Sequence, residues 1–168
     1  MVLLLLFFIT RVYAPIMAKT EQPVDLARCT KIAETCTNFS LRKVTRLVAA
    51  IYDETLRPSG LKGTQLNQLV ALALLRTATV QKLAKILVVD RTSLTRSLAP
   101  LERDGLVQSL PGVDARERKL ALTSLGYRRL RAATRLWERA QRRVAKALGP
   151  TKTRELTESL KGAAEVLG

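Results

Sequence analysis

The stretch DARERKLALT, residues 114–123, sets five charged side chains in six positions and then turns abruptly to Leu120-Ala121-Leu122. Three of the last four charges are positive. A short apolar alternation bounded by turn-forming residues is the pattern of a half-buried β-strand. The run Val107 to Leu110 lies close enough upstream to pair with it. The segment therefore predicts a β-hairpin: 107–110, an eight-residue charged loop, then 119–123. The rest of the chain must explain why a hairpin stands here, because everything around it reads as helix.

Working back toward the N-terminus, Leu94, Leu98 and Leu101 form one apolar stripe that stops at Asp104-Gly105, a helix-ending glycine. Pro100 falls inside this helix, removing one backbone bond. Leu101 keeps the stripe in phase, so the helix is read as continuing with a bend. Before it, Val80, Leu83, Ala84 and Leu87 make a shorter stripe with Thr79 as N-cap. Val88-Val89-Asp90 is the tight turn between the two. Further back, Leu66, Leu69, Val70, Ala73 and Leu74 form another stripe, and so do Leu41, Val44, Leu47, Val48, Ile51 and Tyr52, closed by Arg57-Pro58-Ser59-Gly60. Beyond the hairpin, a long helix starts at Ser124. Its residues Leu130, Ala133, Trp137, Ala140 and Val144 advance in alternating steps of three and four, a seam able to face another helix. Gly149-Pro150 ends it, and Leu156, Leu160, Ala163 and Leu167 mark a last helix.

The totals narrow the function classes. The chain has 168 residues, 47% hydrophobic, enough for one domain with a sizeable core. Lys and Arg number 29 against 14 Asp and Glu, a formal charge of +15 that attracts polyanions, nucleic acid or an anionic membrane. Aromatics at 4% are too few for stacking platforms on single-stranded nucleic acid. Without a single His there is no imidazole metal site and no Ser-His or Cys-His catalysis. No phosphate-cradling glycine loop or convergent carboxylate pair appears either, so no enzyme, cofactor or metal is expected. Cys29 and Cys36 are too few for a zinc site or a disulfide scaffold, which makes a reducing cytoplasm the default. The opening MVLLLLFFI is too short to span a bilayer and has its positive charge, Arg11, on the wrong side for a signal peptide. Met17-Ala18-Lys19 reads as the natural start, with residues 1–16 an upstream addition.

Two short helices joined by a tight turn, 79–87 and 91–104, have helix-turn-helix proportions, and the charged hairpin after them makes a winged helix. The second helix is narrow enough for the DNA major groove. Opposite its apolar stripe it presents Arg91, Thr92, Thr95 and Arg96, with Ser93 at the margin. Arg pairs bidentately with guanine; Thr and Ser reach phosphates, base edges or a thymine methyl. The hairpin loop answers the opening question: Arg116 and Arg118 can enter the minor groove, whose negative potential favours arginine, with Asp114 placed to hold Arg116 in one pose. A solvated turn whose charges pair with one another is the alternative.

At this point the residues resemble the MarR family of bacterial transcription regulators. Val80-Gln81-Lys82-Leu83-Ala84, Asp90-Arg91-Thr92-Ser93-Leu94-Thr95-Arg96 and Leu101-Glu102-Arg103-Asp104-Gly105-Leu106-Val107 carry the resemblance. Asp114-x-Arg116-x-x-x-Leu120-x-Leu122-Thr123 is similar to that family's wing signature. The resemblance covers about residues 30–168. It implies a mainly α fold with a small β-hairpin wing, a winged helix-turn-helix between N- and C-terminal dimerisation helices, and a proline at position 100. It also implies a homodimer on a pseudo-palindromic operator of double-stranded DNA, usually a repressor released by a small molecule or oxidant. Residues 91–96 would lie on the reading helix and Arg116 in the minor groove. The chain then divides into an extension (1–24), support helices (25–60), the winged domain (61–126) and C-terminal dimerisation helices (127–168). Apolar stripes at both chain ends exceed what one small winged domain covers. Pairing them about a two-fold axis sets the reading helices about 34 Å apart, one DNA turn.

The signal is less defined. Organic-peroxide sensors of this family carry a reactive cysteine near Cys36; counted back from Tyr52 it falls at Asn38, and its tyrosine partners fall near Gly63 and Leu66, which carry no hydroxyl. Cys29 and Cys36, two turns apart on one helix face, remain candidates for redox sensing across a dimer. The other candidate is a ligand pocket between the winged domain and the dimer helices. The basic stretch from Arg128 to Lys146, with eight Lys or Arg and only Glu138 opposing, suits flanking phosphates or a solvated face. The rival reading is a basic protein at a membrane surface, anchored by residues 1–9 and its basic helices, although no stable membrane association is expected.

Overall fold

The computed structural model describes residues 24–111 and 118–168, so the readings placed on residues 1–16, Asp114 and Arg116 lie outside it. The chain falls into two compact units, one reaching to Val44 and the other running Thr45–Gly168. The first holds α1 (Leu26–Thr35) and the start of α2 (Thr37–Leu56). Asp25 caps α1, its carboxylate accepting from the Arg28 N–H at 3.1 Å. The helix ends at Thr35, and Cys36 is extended (φ −74°, ψ 112°) with its N–H donated to the Ile32 carbonyl. The spacing that puts Cys29 and Cys36 on one helix face is thereby corrected. A break in the helix separates them, and both are free thiols.

The second unit contains the expected winged helix with one addition. After the 3-10 turn Arg57–Ser59 come α3 (Gly63–Leu75), β1 (Thr77–Thr79), α4 (Val80–Leu87), α5 (Arg91–Arg103), β2 (Val107–Pro111), β3 (Arg118–Leu122), α6 (Ser124–Leu148) and α7 (Pro150–Leu167). The sheet has three antiparallel strands in the order β1-β3-β2 instead of the two of a simple hairpin. β3 is central: Leu120 faces Ala78 of β1 on one side and Ser109 of β2 on the other. Thr-Ala-Thr is too short to show a period of two, which is why β1 escapes a sequence reading. β2 and β3 also extend one residue further toward the loop than the sequence suggests, to Pro111 and Arg118.

Local chemistry explains each boundary. Thr79 caps α4, Asp90 caps α5 and Thr123 caps α6, each side-chain oxygen accepting a first-turn N–H. The Asp53 carboxylate on α2 accepts the Gly63 N–H of α3 at 2.7 Å, placing negative charge at a helix N-terminus. α5 runs through Pro100 without interruption. It closes as a Schellman motif: Gly105 at φ +68°, its N–H to Glu102, and the Leu106 N–H to Leu101 at 2.8 Å.

Leu56, Leu69, Leu72, Leu83, Leu94, Leu98, Leu101 and Leu120 are the largest fully buried side chains and form the centre of one core with Leu106, Val107 and Leu122. In α3 the buried face differs from the spacing argument. Leu66, Leu69 and Leu72 turn inward with Gln68 and Ala71, while Val70 is 39% and Leu74 81% exposed. α3 is apolar nearly all round, so several phases fit the sequence equally well. On α6 the seam keeps Ala133, Ala140 and Val144 buried but leaves Trp137 exposed. α1 and α7 bury nothing, and α2 buries only Leu56.

Candidate nucleic-acid interface

The candidate interface is built on α4, the turn Val88-Val89-Asp90, and α5. The turn is tight because α4 also ends in a Schellman motif: the Val89 N–H reaches the Ala84 carbonyl at 3.0 Å and the Val88 N–H that of Lys85 at 3.3 Å. The left-handed position is filled by Val88 (φ +52°, ψ 49°) where glycine is usual. A β-branched residue pays for that conformation in steric strain. Asp90 follows in extended geometry, its carboxylate accepting the Ser93 N–H at 2.8 Å. Hydrogen bonds from the Ser93 side chain and then its backbone hold the Asp90 carboxyl below its usual range.

This cap aims α5. Leu94, Leu98 and Leu101 are 1–2% exposed and pin one face to the core. Arg91, Thr92, Ser93, Thr95 and Arg96 are all exposed, as the spacing requires. The Thr95 hydroxyl donates back to the Arg91 carbonyl at 2.8 Å. Neither Arg91 nor Arg96 pairs with a carboxylate among the described residues. The result is a polar, cationic helix face, its guanidinium groups without a carboxylate partner among the described residues, mounted on three buried leucines.

The root of the wing is tied to this helix. Arg118 donates to Glu102 Oε1 of α5 and to Ser109 Oγ of β2. The sequence reading counts Arg118 with the groove-facing arginines, yet its guanidinium here braces the hairpin against α5. Glu102 is the residue that reading passes over; its signal is opposite charge, a lone acid on the helix preceding a basic hairpin. The base of the wing is closed by the Thr123 hydroxyl, which donates to the Gly105 carbonyl at 2.6 Å, and by the Thr123 N–H to Leu106 at 3.0 Å.

Two cations of the basic stretch on α6 serve the same kind of bracing. Arg129 donates to the Ser59 carbonyl at 2.7 Å, satisfying the 3-10 turn. Arg143 holds Glu54 Oε2 at 2.7 Å and Thr55 Oγ1 at 2.9 Å on the last turn of α2. The sequence offers no way to tell these two from their solvated neighbours, since the partners lie 70 residues or more away in the chain.

Comparison with known proteins agrees with this geometry. The MarR family model matches residues 61–117, a segment that includes α3, β1, α4, α5 and β2. The transcriptional regulator MosR of M. tuberculosis, solved in complex with DNA, is 37% identical, with 79% of this chain and 98% of that one aligned and a TM-score of 0.66. The repressor CouR, solved on a 23-mer DNA duplex, shares the fold at 24% identity, a TM-score of 0.73, and 80% and 95% coverage of the two chains. The HTH-type regulator YwoH of Bacillus subtilis, itself uncharacterised, is 35% identical over 78 residues, 46% of this chain, and the match spans only 57% of that relative's length. With the winged helix, the capped and cationic helix α5 and these likenesses together, the chain belongs to the MarR family of transcriptional regulators.

Proposed function

We propose that the protein is a sequence-specific, double-stranded-DNA-binding regulator acting as a homodimer on a pseudo-palindromic operator, and that it represses until a small molecule or oxidant releases it. The observation that carries the DNA reading is the unengaged cationic face of α5, Arg91, Thr95 and Arg96, opposite three buried leucines. Arg96 and Arg91 read base edges; Thr92, Ser93 and Thr95 reach phosphates or a thymine methyl. Asp114 and Arg116, outside the described residues, keep the minor-groove role that the family resemblance implies, and Arg118 keeps the wing in register by its hold on Glu102. That MosR, 37% identical, was solved in complex with DNA supports the DNA-binding reading.

The homodimer is supported by apolar side chains that this chain leaves uncovered. Ile32, Phe39 and Leu41 lie exposed in the first unit and Leu160, Val166 and Leu167 on α7. No helix among the described residues is long and apolar enough to cross a membrane, and the membrane-surface reading gains no specific observation. A regulator of this kind works where the genome is, in the cytoplasm, and has no catalytic step. Redox sensing remains assigned to Cys29 and Cys36, both accessible, although they are not stacked on one helix.

The test is selection of genomic fragments by the purified protein, followed by gel-shift titration on the recovered site. Arg96→Ala should weaken operator binding by about 1–3 kcal/mol and relax preference at one base pair per half-site. Equal affinity and an unchanged preference in that variant would remove α5 from the role of reader.

A further inference from the structure

Where the last turn of α2 meets the C-terminal half of α6 lies an open cleft of about 480 Å³. Arg139, Arg142, Arg143 and Lys146 of α6 line it, three or four residues apart and so on one helix face. Like charges at that spacing repel, and a helix that lines up four of them is destabilised by it. One acid in the cleft opposes them, Glu54, and Arg143 already holds it at 2.7 Å, together with the Thr55 hydroxyl at 2.9 Å. Arg139, Arg142 and Lys146 pair with no carboxylate among the described residues. Glu138, one turn before Arg142, neither pairs with it nor lines the cleft. Three positive charges are thus gathered at one concavity without a counterion from the described chain. The cleft is also remote from the α5–wing corner. Gly126 marks where α6 packs on Leu106 there, and from Gly126 to Arg139 is about 20 Å along the helix axis at 1.5 Å per residue.

We infer that this cleft is a binding site for a small polyphosphate, two or three linked phosphate groups with or without a nucleoside. Each guanidinium presents paired N–H donors that match phosphate oxygens two at a time, and the Lys146 ammonium adds a point charge. A lone carboxylate or phosphate meets only part of the row, whereas a phosphate chain sets negative charge against all three cations. Such an occupant also relieves the repulsion among them, a gain that scattered surface cations do not offer. The cleft joins two elements. Arg143 ties α6 to the end of α2, and an anion that draws its guanidinium from Glu54 loosens that tie. The bound polyphosphate is then a signal that acts through the support helix instead of beside the DNA. This signalling role rests on the DNA-binding reading; the binding itself does not.

The test is calorimetric titration of the full chain, at fixed ionic strength, with pyrophosphate, ATP, orthophosphate and citrate in turn. Pyrophosphate should bind about tenfold more tightly than orthophosphate or citrate. ATP equal to pyrophosphate assigns the site to the phosphate chain alone, and tighter ATP assigns it to a nucleotide; either result supports it. Arg142→Gln with Lys146→Gln should weaken pyrophosphate by about tenfold or more. Arg131→Gln with Arg135→Gln, an equal loss of charge elsewhere on α6, should change it by no more than about twofold. Should the first pair not fold, Lys146→Gln against Arg131→Gln makes the same comparison. Equal loss in the two pairs, citrate as tight as pyrophosphate, or no saturable binding each overturns the site. So does an operator salt slope that falls by about two when Arg142 and Lys146 are replaced, which would put these cations on flanking DNA. Saturating pyrophosphate that lowers operator affinity equally in the wild type and in that variant overturns the signalling role and leaves the site standing.

Discussion

Two residues of one tight turn, Val88 and Asp90, set how α5, the proposed reading helix, is presented. Val88 carries the strain of a left-handed backbone with no compensating burial. Val88→Gly should therefore raise stability by about 1 kcal/mol, the relief of left-handed strain less the cost of glycine's freedom in the unfolded chain. Thermal or denaturant unfolding measures it. Asp90 acts through its charge. Its folded pKa is depressed, so its contribution is complete above the ordinary aspartate range and disappears as pH falls through the lowered folded value. Asp90→Asn still caps the helix but does not titrate. Melting temperatures of the two proteins should run parallel from neutral pH down to about pH 5 and then converge or cross as the wild type loses its charged cap. Asp90→Ala should melt lower at every pH above that range. Parallel curves down to pH 2 would mean that the negative charge of Asp90 adds nothing to the cap.

At the scale of elements, the α5–wing–α6 corner is held by backbone packed on backbone. Gly126, in the first turn of α6, is buried, and a Cβ placed on it would sit 2.1 Å from the Leu106 carbonyl oxygen. Gly126→Ala should cost about 3 kcal/mol, the upper end for overpacking, because a backbone carbonyl cannot step aside as a side chain does. The same corner shows what a sequence exposes to view. Helices whose two faces differ sharply, α4 with Leu83 buried beside Lys82 and Lys85, or α5 with its three leucines, can be placed by eye, caps included. The exposed polar face of α5 followed, since it is whatever lies opposite the leucines. α3 misled because it is apolar on all sides, and β1 was invisible because three residues carry no periodicity. The braces are a third kind of omission. Arg118 with Glu102, Arg143 with Glu54 and Gln68 with Ser97 are long-range pairings; apart from the lone acid Glu102 before a basic hairpin, nothing local distinguishes a side chain that has such a partner from one that faces water.

For the whole molecule, stability and recognition meet in the apolar surface that one chain leaves bare. Phe39, Leu41 and Leu47 on α2, and Leu160, Val166 and Leu167 on α7, are more than a small soluble domain exposes without cause. If a second copy covers them, folding and pairing become one process, and the melting temperature must rise with protein concentration. Leu160→Glu, on an exposed face that touches none of the core leucines, should then yield monomer by sedimentation velocity and lower the melting temperature at micromolar concentration. Its effect on DNA is the more telling result. Two tethered reading helices double the phosphates neutralised in one event, so a dimer making six or more phosphate contacts should lose about a thousandfold in affinity between 50 and 200 mM salt. The Leu160→Glu protein, binding one half-site at a time, should show about half the log-log slope while keeping the same base preference within that half-site. A wild-type slope no steeper than the variant's would mean that each chain engages DNA alone, and the bare apolar surface would then need a different partner.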